Sequence, residues 1–151
     1  MSTCVLLLSG GMDSCTLAAW ALRRFTRVVP VTIRYGAKHG EAEWDAARRV
    51  CEALGLLEEW RRIDLPPLFA GSALTDPAIP LPVGRRLEEM QGLAPSYVPA
   101  RNTVFLALAA AVADGMGAGW IAYAAHREDH VGYPDCRPEY ARAMARAIRL
   151  G

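Results

Sequence analysis

The sequence predicts an α/β fold, with a Rossmann-like parallel β-sheet that carries helices on both faces. Two observations lead to this fold class. Short apolar or β-branched segments alternate along the chain with longer segments of helical periodicity. The first segment, residues 4–8, is apolar throughout, which is typical of a parallel strand buried on both faces. The length of 151 residues suits one compact domain, 1–151.

The first half of the chain is expected to hold three strands separated by two helices. Apolar or β-branched runs indicate the strands, and apolar residues that recur every three or four positions indicate the helices. Gly55 is expected to end the second helix in a left-handed conformation. In order, the segments are residues 4–8 (strand), 13–24 (helix), 28–33 (strand), 41–54 (helix) and 59–63 (a weaker strand).

The second half opens with an irregular stretch, residues 65–99, which holds seven of the ten prolines. We expect loops and short helical turns there, and so long a stretch inside a compact domain is usually functional or mobile. Residues 103–116 predict a helix that is apolar nearly all round and therefore buried. A strand at 120–124 and an amphipathic helix at 137–150 complete the alternation.

Composition narrows the class of protein. The apolar content of 52% and charged content of 22% are ordinary for a soluble globular domain, and a net charge of +1 gives no electrostatic reason to expect nucleic acid or a membrane surface as a partner. No basic segment precedes the first apolar run, so no signal peptide is expected, and the apolar stretch 104–113 is too short to span a bilayer. The cysteines form no CxxC pair and are expected to be reduced thiols of a cytoplasmic protein; they are Cys4, Cys15, Cys51 and Cys136.

A glycine turn joins the first strand to the first helix, with the sequence Ser-Gly-Gly-Met-Asp-Ser beginning at Ser9. Such a turn forms an anion site, because its N–H groups point inward and the helix dipole adds partial positive charge. Gly10 and Gly11 let the backbone approach phosphate oxygens without a Cβ in the way. The hydroxyls of Ser9 and Ser14 can donate hydrogen bonds. Asp13 can cap the helix, and it can also hold a magnesium ion that carries the phosphates.

Other phosphate-binding loops fit this turn less well. A Walker A loop needs GxxxxGK[ST], and no lysine follows these glycines. A dinucleotide fingerprint needs GxGxxG, which is also missing. The remaining alternative is an ordinary strand-to-helix turn capped by serine and aspartate.

Three further strings fall at the expected carboxyl ends of strands or at helix entries, where α/β sheets place ligands. They are Arg-Tyr-Gly-Ala-Lys-His at 34–39, Tyr-Val-Pro-Ala-Arg-Asn-Thr at 97–103, and a region with His-Arg-Glu-Asp at 126–129 and Gly-Tyr-Pro-Asp-Cys-Arg at 132–137.

The polar residues of these strings have both functional and structural interpretations. Arg101 can bind a carboxylate or phosphate through two parallel hydrogen bonds from its guanidinium. Asn102 can contact substrate or cap a helix. Asp129 can ligate magnesium, bind a polar base edge or be a solvated loop carboxylate. Tyr133 can stack on a heterocycle or simply pack, and Asp135 can face the substrate or cap the last helix ahead of its proline starter.

The Ser-Gly-Gly-x-Asp-Ser string resembles the PP-loop of the ATP pyrophosphatase superfamily, whose members split ATP between the α and β phosphates. Together with Tyr-Val-Pro-Ala-Arg-Asn-Thr and Tyr-Pro-Asp-Cys-Arg, in the same order and spacing, it resembles the 7-cyano-7-deazaguanine synthase family of queuosine biosynthesis. The likeness runs from about Val5 to Gly151. The PP-loop alone specifies only the superfamily, whereas the three strings together are far more specific.

The resemblance implies a ligase that uses ATP and Mg²⁺ to convert 7-carboxy-7-deazaguanine and ammonia into 7-cyano-7-deazaguanine, with AMP and pyrophosphate released. It also implies a homodimer. Catalytic roles would belong to Asp13 and Arg101, with Asp13 as a magnesium ligand. The ATP phosphates would be bound by Ser9, Gly10, Gly11, Met12, Asp13 and Ser14, and the substrate by Arg101, Asn102, Asp129, Tyr133 and Asp135. Alternatives are a related PP-loop enzyme that adenylates another substrate, such as a tRNA-thiolating enzyme, and a nucleotide-binding module without turnover.

The chain departs from the family pattern in two respects. Members of the family continue into a further strand, a lysine-containing segment and a cysteine cluster that binds Zn²⁺; these are not found in this sequence, and no zinc ligands are assigned. A fragment and a natural short form both explain this, and we favour a fragment because the end of the last helix anticipates a following strand. Ala37 stands where the family usually has Gln, which puts that loop's substrate contact in doubt.

Overall fold

The computed structural model describes residues 2–81, 92–130 and 132–151. Its strands are β1 (Thr3–Leu7), β2 (Arg27–Arg34), β3 (Arg61–Asp64) and β4 (Trp120–Ala122), and its helices are α1 (Met12–Leu22), α2 (Gly40–Leu54), α3 (Arg101–Gly115) and α4 (Pro138–Leu150). Short 3-10 helices lie at Arg127–His130 and Pro134–Cys136.

The four strands form one parallel sheet in the order β3-β2-β1-β4. Within it, Val5 of β1 pairs with Val29 on one side and with Ile121 on the other, so β1 is a central strand. Cys4, Val5 and Leu6 are fully buried, because helices cover both faces of the strand. The carboxyl ends of β1 and β2 therefore open at the same edge of the sheet.

The helices divide between the two faces of the sheet. On one face, α1 and α2 pack small side chains such as Ala18 and Ala47 against Leu6 and Leu8. On the other face, α3 packs Ala109 and Ala113 against the valines of β1 and β2. This arrangement confirms the predicted α/β class. Small residues at these contacts let the helices approach the sheet closely, which suits dense interior packing.

The predicted elements all appear, with shifts of at most two residues at their ends. For example, β4 ends at Ala122, before the predicted limit at 124. The described parts of the irregular stretch, 65–81 and 92–99, contain no helix or strand, and the remainder of that prediction lies outside the described residues. No helix in the described part of the chain combines the length and the apolar character that crossing a bilayer requires.

The capping predictions are mixed. Gly55 does end α2 with a left-handed φ of 69°, and Pro138 begins α4. The suggested helix caps were wrong, since the N-cap positions are Gly11, Ala100 and Arg137, none with a side-chain cap. Asp13 and Asn102 lie one residue inside their helices and Asp135 lies in the preceding 3-10 helix, so none occupies the flanking position from which a side chain caps.

Candidate functional site

A cavity of about 470 Å³ opens at the carboxyl edge of the sheet, between the β1–α1 turn and the start of α3. It brings together most residues that the sequence singled out, from three separate segments. Those lining it are Ser9, Gly11, Met12, Asp13, Ser14, Arg101, Asn102, Asp129 and Tyr133. Gly10 and Asp135 are not among the lining residues.

The β1–α1 turn is braced by its own two serines. The Ser14 hydroxyl donates to the Gly11 carbonyl over 3.0 Å and accepts from the Ser9 N–H over 3.3 Å, and the two hydroxyl oxygens are 3.2 Å apart. Met12 and Asp13 are exposed at the first turn of α1. The positive end of this helix dipole therefore faces the cavity, and an anion held there meets partial positive charge.

Gly10 has a structural constraint that the sequence did not reveal. Its φ is +81°, and a Cβ at this position would lie 2.5 Å from both Ala46 Cβ and Ala47 N. Real Cβ contacts are essentially never that short, so only glycine fits between the turn and α2. The predicted reason for this glycine was phosphate approach, and the structure adds close contact with α2 as a second reason.

Arg101, the first residue of α3, brings a guanidinium to the other side of the cavity. Its two hydrogen bonds are long, 3.4 Å to Asn102 Oδ1 and 3.5 Å to the Tyr35 hydroxyl. Among the described residues it forms no ion pair with a carboxylate. Burial alone would lower the pKa of Arg101, but Tyr35, Asp135 and Glu43 raise it overall, so the group stays charged. A charged guanidinium with weak protein partners is suited to binding an external anion.

Aromatic side chains form part of the cavity wall. The rings of Tyr35 and Phe105 meet edge to face, with their centroids 5.1 Å apart. The ring centroids of Tyr133 and Tyr97 are 6.3 Å apart. The Tyr133 hydroxyl is already 2.6 Å from the Ser96 hydroxyl. Its ring, more than its hydroxyl, is therefore available to a ligand.

Sequence reasoning missed several of the lining residues. Tyr35 and Cys136 lay inside strings that were singled out, although neither was assigned a role. Glu43 and Tyr123 carried no motif signal and reach the cavity through the topology alone. Burial raises the pKa of Tyr123 to about 12 and, with Asp135 and Asp129 adding to it, that of Cys136 to about 11. Both groups are therefore neutral hydrogen-bond donors near pH 7.

The acidic side chains do not form a ready-made metal cage. Within the residues that the structure describes, no three His, Cys, Asp or Glu side chains are grouped to hold a metal ion. Asp13 and Asp129 each contribute a single carboxylate to the cavity. Asp135 is 5% exposed, and its Oδ1 has no hydrogen-bond partner in the described residues.

Comparison with solved structures supports the fold. The U34-tRNA thiolase NcsA from Methanococcus maripaludis, solved with its 4Fe–4S cluster, is similar with a TM-score of 0.52 and 17% sequence identity, over 83% of this chain and 38% of that chain. At this level of identity the likeness concerns the fold alone.

Curated relatives match over nearly all of this chain. The 7-cyano-7-deazaguanine synthases of Frankia casuarinae, Parasynechococcus marenigrum and Picrophilus torridus are 46%, 41% and 40% identical over 97%, 98% and 100% of it. The chain spans 60%, 64% and 62% of the lengths of those relatives. The family model described as "Queuosine biosynthesis protein QueC" matches residues 3–151. Since that match covers almost every residue, the chain belongs to the queuosine biosynthesis protein QueC family.

Proposed function

We propose that this chain carries the ATP-binding and substrate-activating site of a 7-cyano-7-deazaguanine synthase. The reaction uses 7-carboxy-7-deazaguanine, ammonia and ATP, and it releases AMP and pyrophosphate. The observation that carries the proposal is the shared cavity of two anion-binding groups, the β1–α1 turn and Arg101. One is suited to phosphates and the other to a carboxylate, which are the two groups that an adenylating enzyme must align. Curated relatives with this activity support the choice of substrate.

In this proposal the β1–α1 turn holds the pyrophosphate leaving group, and Ser9, Gly11 and Ser14 contribute its donors. Arg101 binds the substrate carboxylate or the α-phosphate between them. Asp13 is suited to magnesium because Mg²⁺ usually takes only one or two protein carboxylates and completes its shell with phosphate oxygens and water. When bound, the ion neutralises phosphate charge. The described residues offer no cluster suited to zinc, and no step is assigned to that metal.

The chemistry requires two activations at one carbon. In the first, a carboxylate oxygen attacks the α-phosphorus and pyrophosphate leaves; ammonia then displaces AMP to form the amide, and one proton is lost. In the second, the amide oxygen attacks another ATP, and the loss of AMP with two protons from nitrogen leaves the nitrile. The protein's part is to position the reactants and keep water from the adenylate. Asn102, Asp129, Tyr133 and Asp135 are proposed to bind or surround the deazapurine.

A thiolating activity on another substrate is less consistent with the cysteines. Burial, as the main cause, raises the pKa of Cys4, Cys51 and Cys136 to about 11 and also raises that of Cys15. Since the thiolate is the nucleophile, all four thiols are poorly suited to attack at neutral pH.

The test is incubation of the protein with ATP, magnesium, ammonia and 7-carboxy-7-deazaguanine. Release of AMP and pyrophosphate that depends on 7-carboxy-7-deazaguanine supports the proposal, provided that mass spectrometry also shows formation of the nitrile. AMP release only with another acceptor, or ATP binding without AMP, refutes it. Asp13→Ala should abolish AMP formation without lowering the melting temperature, because the side chain is exposed; a fully active variant removes that assignment. The proposal also includes the homodimer that the family resemblance implies, and sedimentation tests it.

A further inference from the structure

Glu43 is a cavity carboxylate that the proposed mechanism has not used. It lies in the first turn of α2, is half-buried and lines the same cavity as the β1–α1 turn and Arg101. Among the described residues its carboxylate takes part in no ion pair. By contrast, Glu41 in the same turn of helix is exposed and paired with Arg34.

Packing determines the side of α2 on which Glu43 lies. Residues four apart share a face of a helix, so Glu43 is on the face that carries Ala47. That face is turned toward the sheet, because Ala47 is fully buried in the core with Leu6 and Leu8. The helix also lies close to the β1–α1 turn, since an added Cβ at Gly10 would lie 2.5 Å from Ala46 Cβ and Ala47 N. Glu43 also interacts electrostatically with Arg101. It therefore lies beside the space between the phosphate-binding turn and the guanidinium, where the α-phosphorus and the activated carbon would meet.

The proposed reaction needs a proton acceptor at that point. When ammonia attacks the acyl adenylate, the adduct carries a positive nitrogen, and collapse to amide and AMP requires one proton to leave it. Conversion of the amide to the nitrile removes two more protons from the same nitrogen. A positioned carboxylate speeds such transfers by about 10²–10⁴-fold.

We propose that Glu43 is the general base that takes the proton from the attacking ammonia. This inference rests on the proposed function and adds a catalytic residue to it. Each cycle of amide formation moves one proton from nitrogen to the Glu43 carboxylate, which then releases it to solvent, so the residue is unchanged at the end.

The surroundings of Glu43 are consistent with this role. Burial raises its pKa, while Arg101 from α3 and His39 at the start of α2 act to lower it; Tyr35, at the end of β2, is its other titratable neighbour. A raised pKa makes a carboxylate a stronger base. The other cavity carboxylates are differently placed, since Asp13 is at the phosphate end and Asp129 on the 3-10 helix that follows β4.

Two partial reactions separate the proton acceptor from a binding group. Exchange of labelled pyrophosphate into ATP, with the acid substrate and no ammonia, reports adenylation alone; amide formation with ammonia reports the later step. Glu43→Gln should keep exchange within about threefold of wild type and slow amide formation by about 10²–10⁴-fold. Glu43→Asp should restore part of the rate, and Glu41→Gln is the matched control that should match wild type in both assays. The acid limb of the wild-type pH profile for amide formation should be lost in Glu43→Gln.

The outcomes distinguish this inference from the function on which it rests. No exchange and no amide in the wild type refutes the proposed function itself. If Glu43→Gln shows both pyrophosphate exchange and amide formation at wild-type rates, Glu43 is not the base and the assignment is overturned. Loss of exchange in a folded Glu43→Gln protein also overturns it, because Glu43 would then act in binding or adenylation. If Glu43→Gln fails to fold, as judged by circular dichroism, the pH profile of Glu43→Asp decides: an acid limb identical to that of wild type refutes the proposal.

Discussion

Replacing Gly10 by alanine tests the account of the β1–α1 turn most directly. The left-handed φ of +81° costs a residue with a Cβ about 1–2 kcal/mol. The added methyl lies 2.5 Å from Ala46 Cβ and Ala47 N, and overpacking of this kind costs about 1–3 kcal/mol more. We expect Gly10→Ala to lower the free energy of unfolding by about 3 kcal/mol. In a chain of this length that corresponds to a fall in melting temperature of about 6–12 °C.

The assay is thermal denaturation followed by circular dichroism, with Gly11→Ala as the matched control. Gly11 has an ordinary φ of −72°, and an added Cβ there meets only the Ser9 hydroxyl oxygen at 3.4 Å. We expect that control to melt within about 2 °C of wild type, since a substitution without strain or a clash costs little. If Gly10→Ala melts as wild type does, the contact between the turn and α2 does not constrain this position, and the reasoning fails.

Three further predictions concern Arg101, Thr32 and the cysteines. Arg101→Lys keeps the charge but loses the planar fork, so steady-state kinetics should show kcat/KM lower by about 100-fold with unchanged melting; wild-type kinetics would contradict this. Thr32→Val removes a hydroxyl that donates to the Leu8 carbonyl and accepts from the Trp60 indole, both over 2.8 Å. The Leu8 carbonyl and the Trp60 indole would be left buried without a partner, which should lower the free energy of unfolding by about 2 kcal/mol in urea titrations. An unchanged midpoint would refute this prediction. Because burial raises the pKa of Cys4, Cys51 and Cys136 to about 11, these three thiols should react with iodoacetamide at pH 8 more than tenfold slower in native than in urea-unfolded protein, because the native thiolate fraction is lower. Equal rates would contradict the burial of these thiols.

The order and type of the elements were predictable because the relevant signals are local. The apolar run before Ser9 needs only a strand covered on both faces, and the β-branched run of β2 likewise reports its own burial. Gly55 could be assigned as a helix end because the left-handed conformation at that position favours glycine, which has no Cβ. By contrast, the length of β4 was not predictable. The strand ends at Ala122 because its pairing with β1 ends there.

The caps failed for a related reason. An Asp or Asn near a predicted helix start is a good N-cap only in the residue that flanks the helix, and a shift of one residue removes the geometry. Asp13 and Asn102 each lie two residues past the N-cap positions, Gly11 and Ala100, and both then lie on the cavity wall. The displacement is informative, because side chains released from capping are free for a ligand.

Glu43 marks the limit of what sequence motifs can locate. Nothing around it in the chain distinguishes its carboxylate from that of Glu41, two residues earlier. The difference arises because Ala47, one turn after Glu43, is buried in the core between α2 and the sheet, which turns that face of α2 inward and leaves Glu41 on the exposed side. Gly10 lets the β1–α1 turn pack closely against this helix at Ala46 and Ala47. Disturbing Gly10 should therefore impair the site even where the substituted protein still folds, since the position of Glu43 depends on that contact.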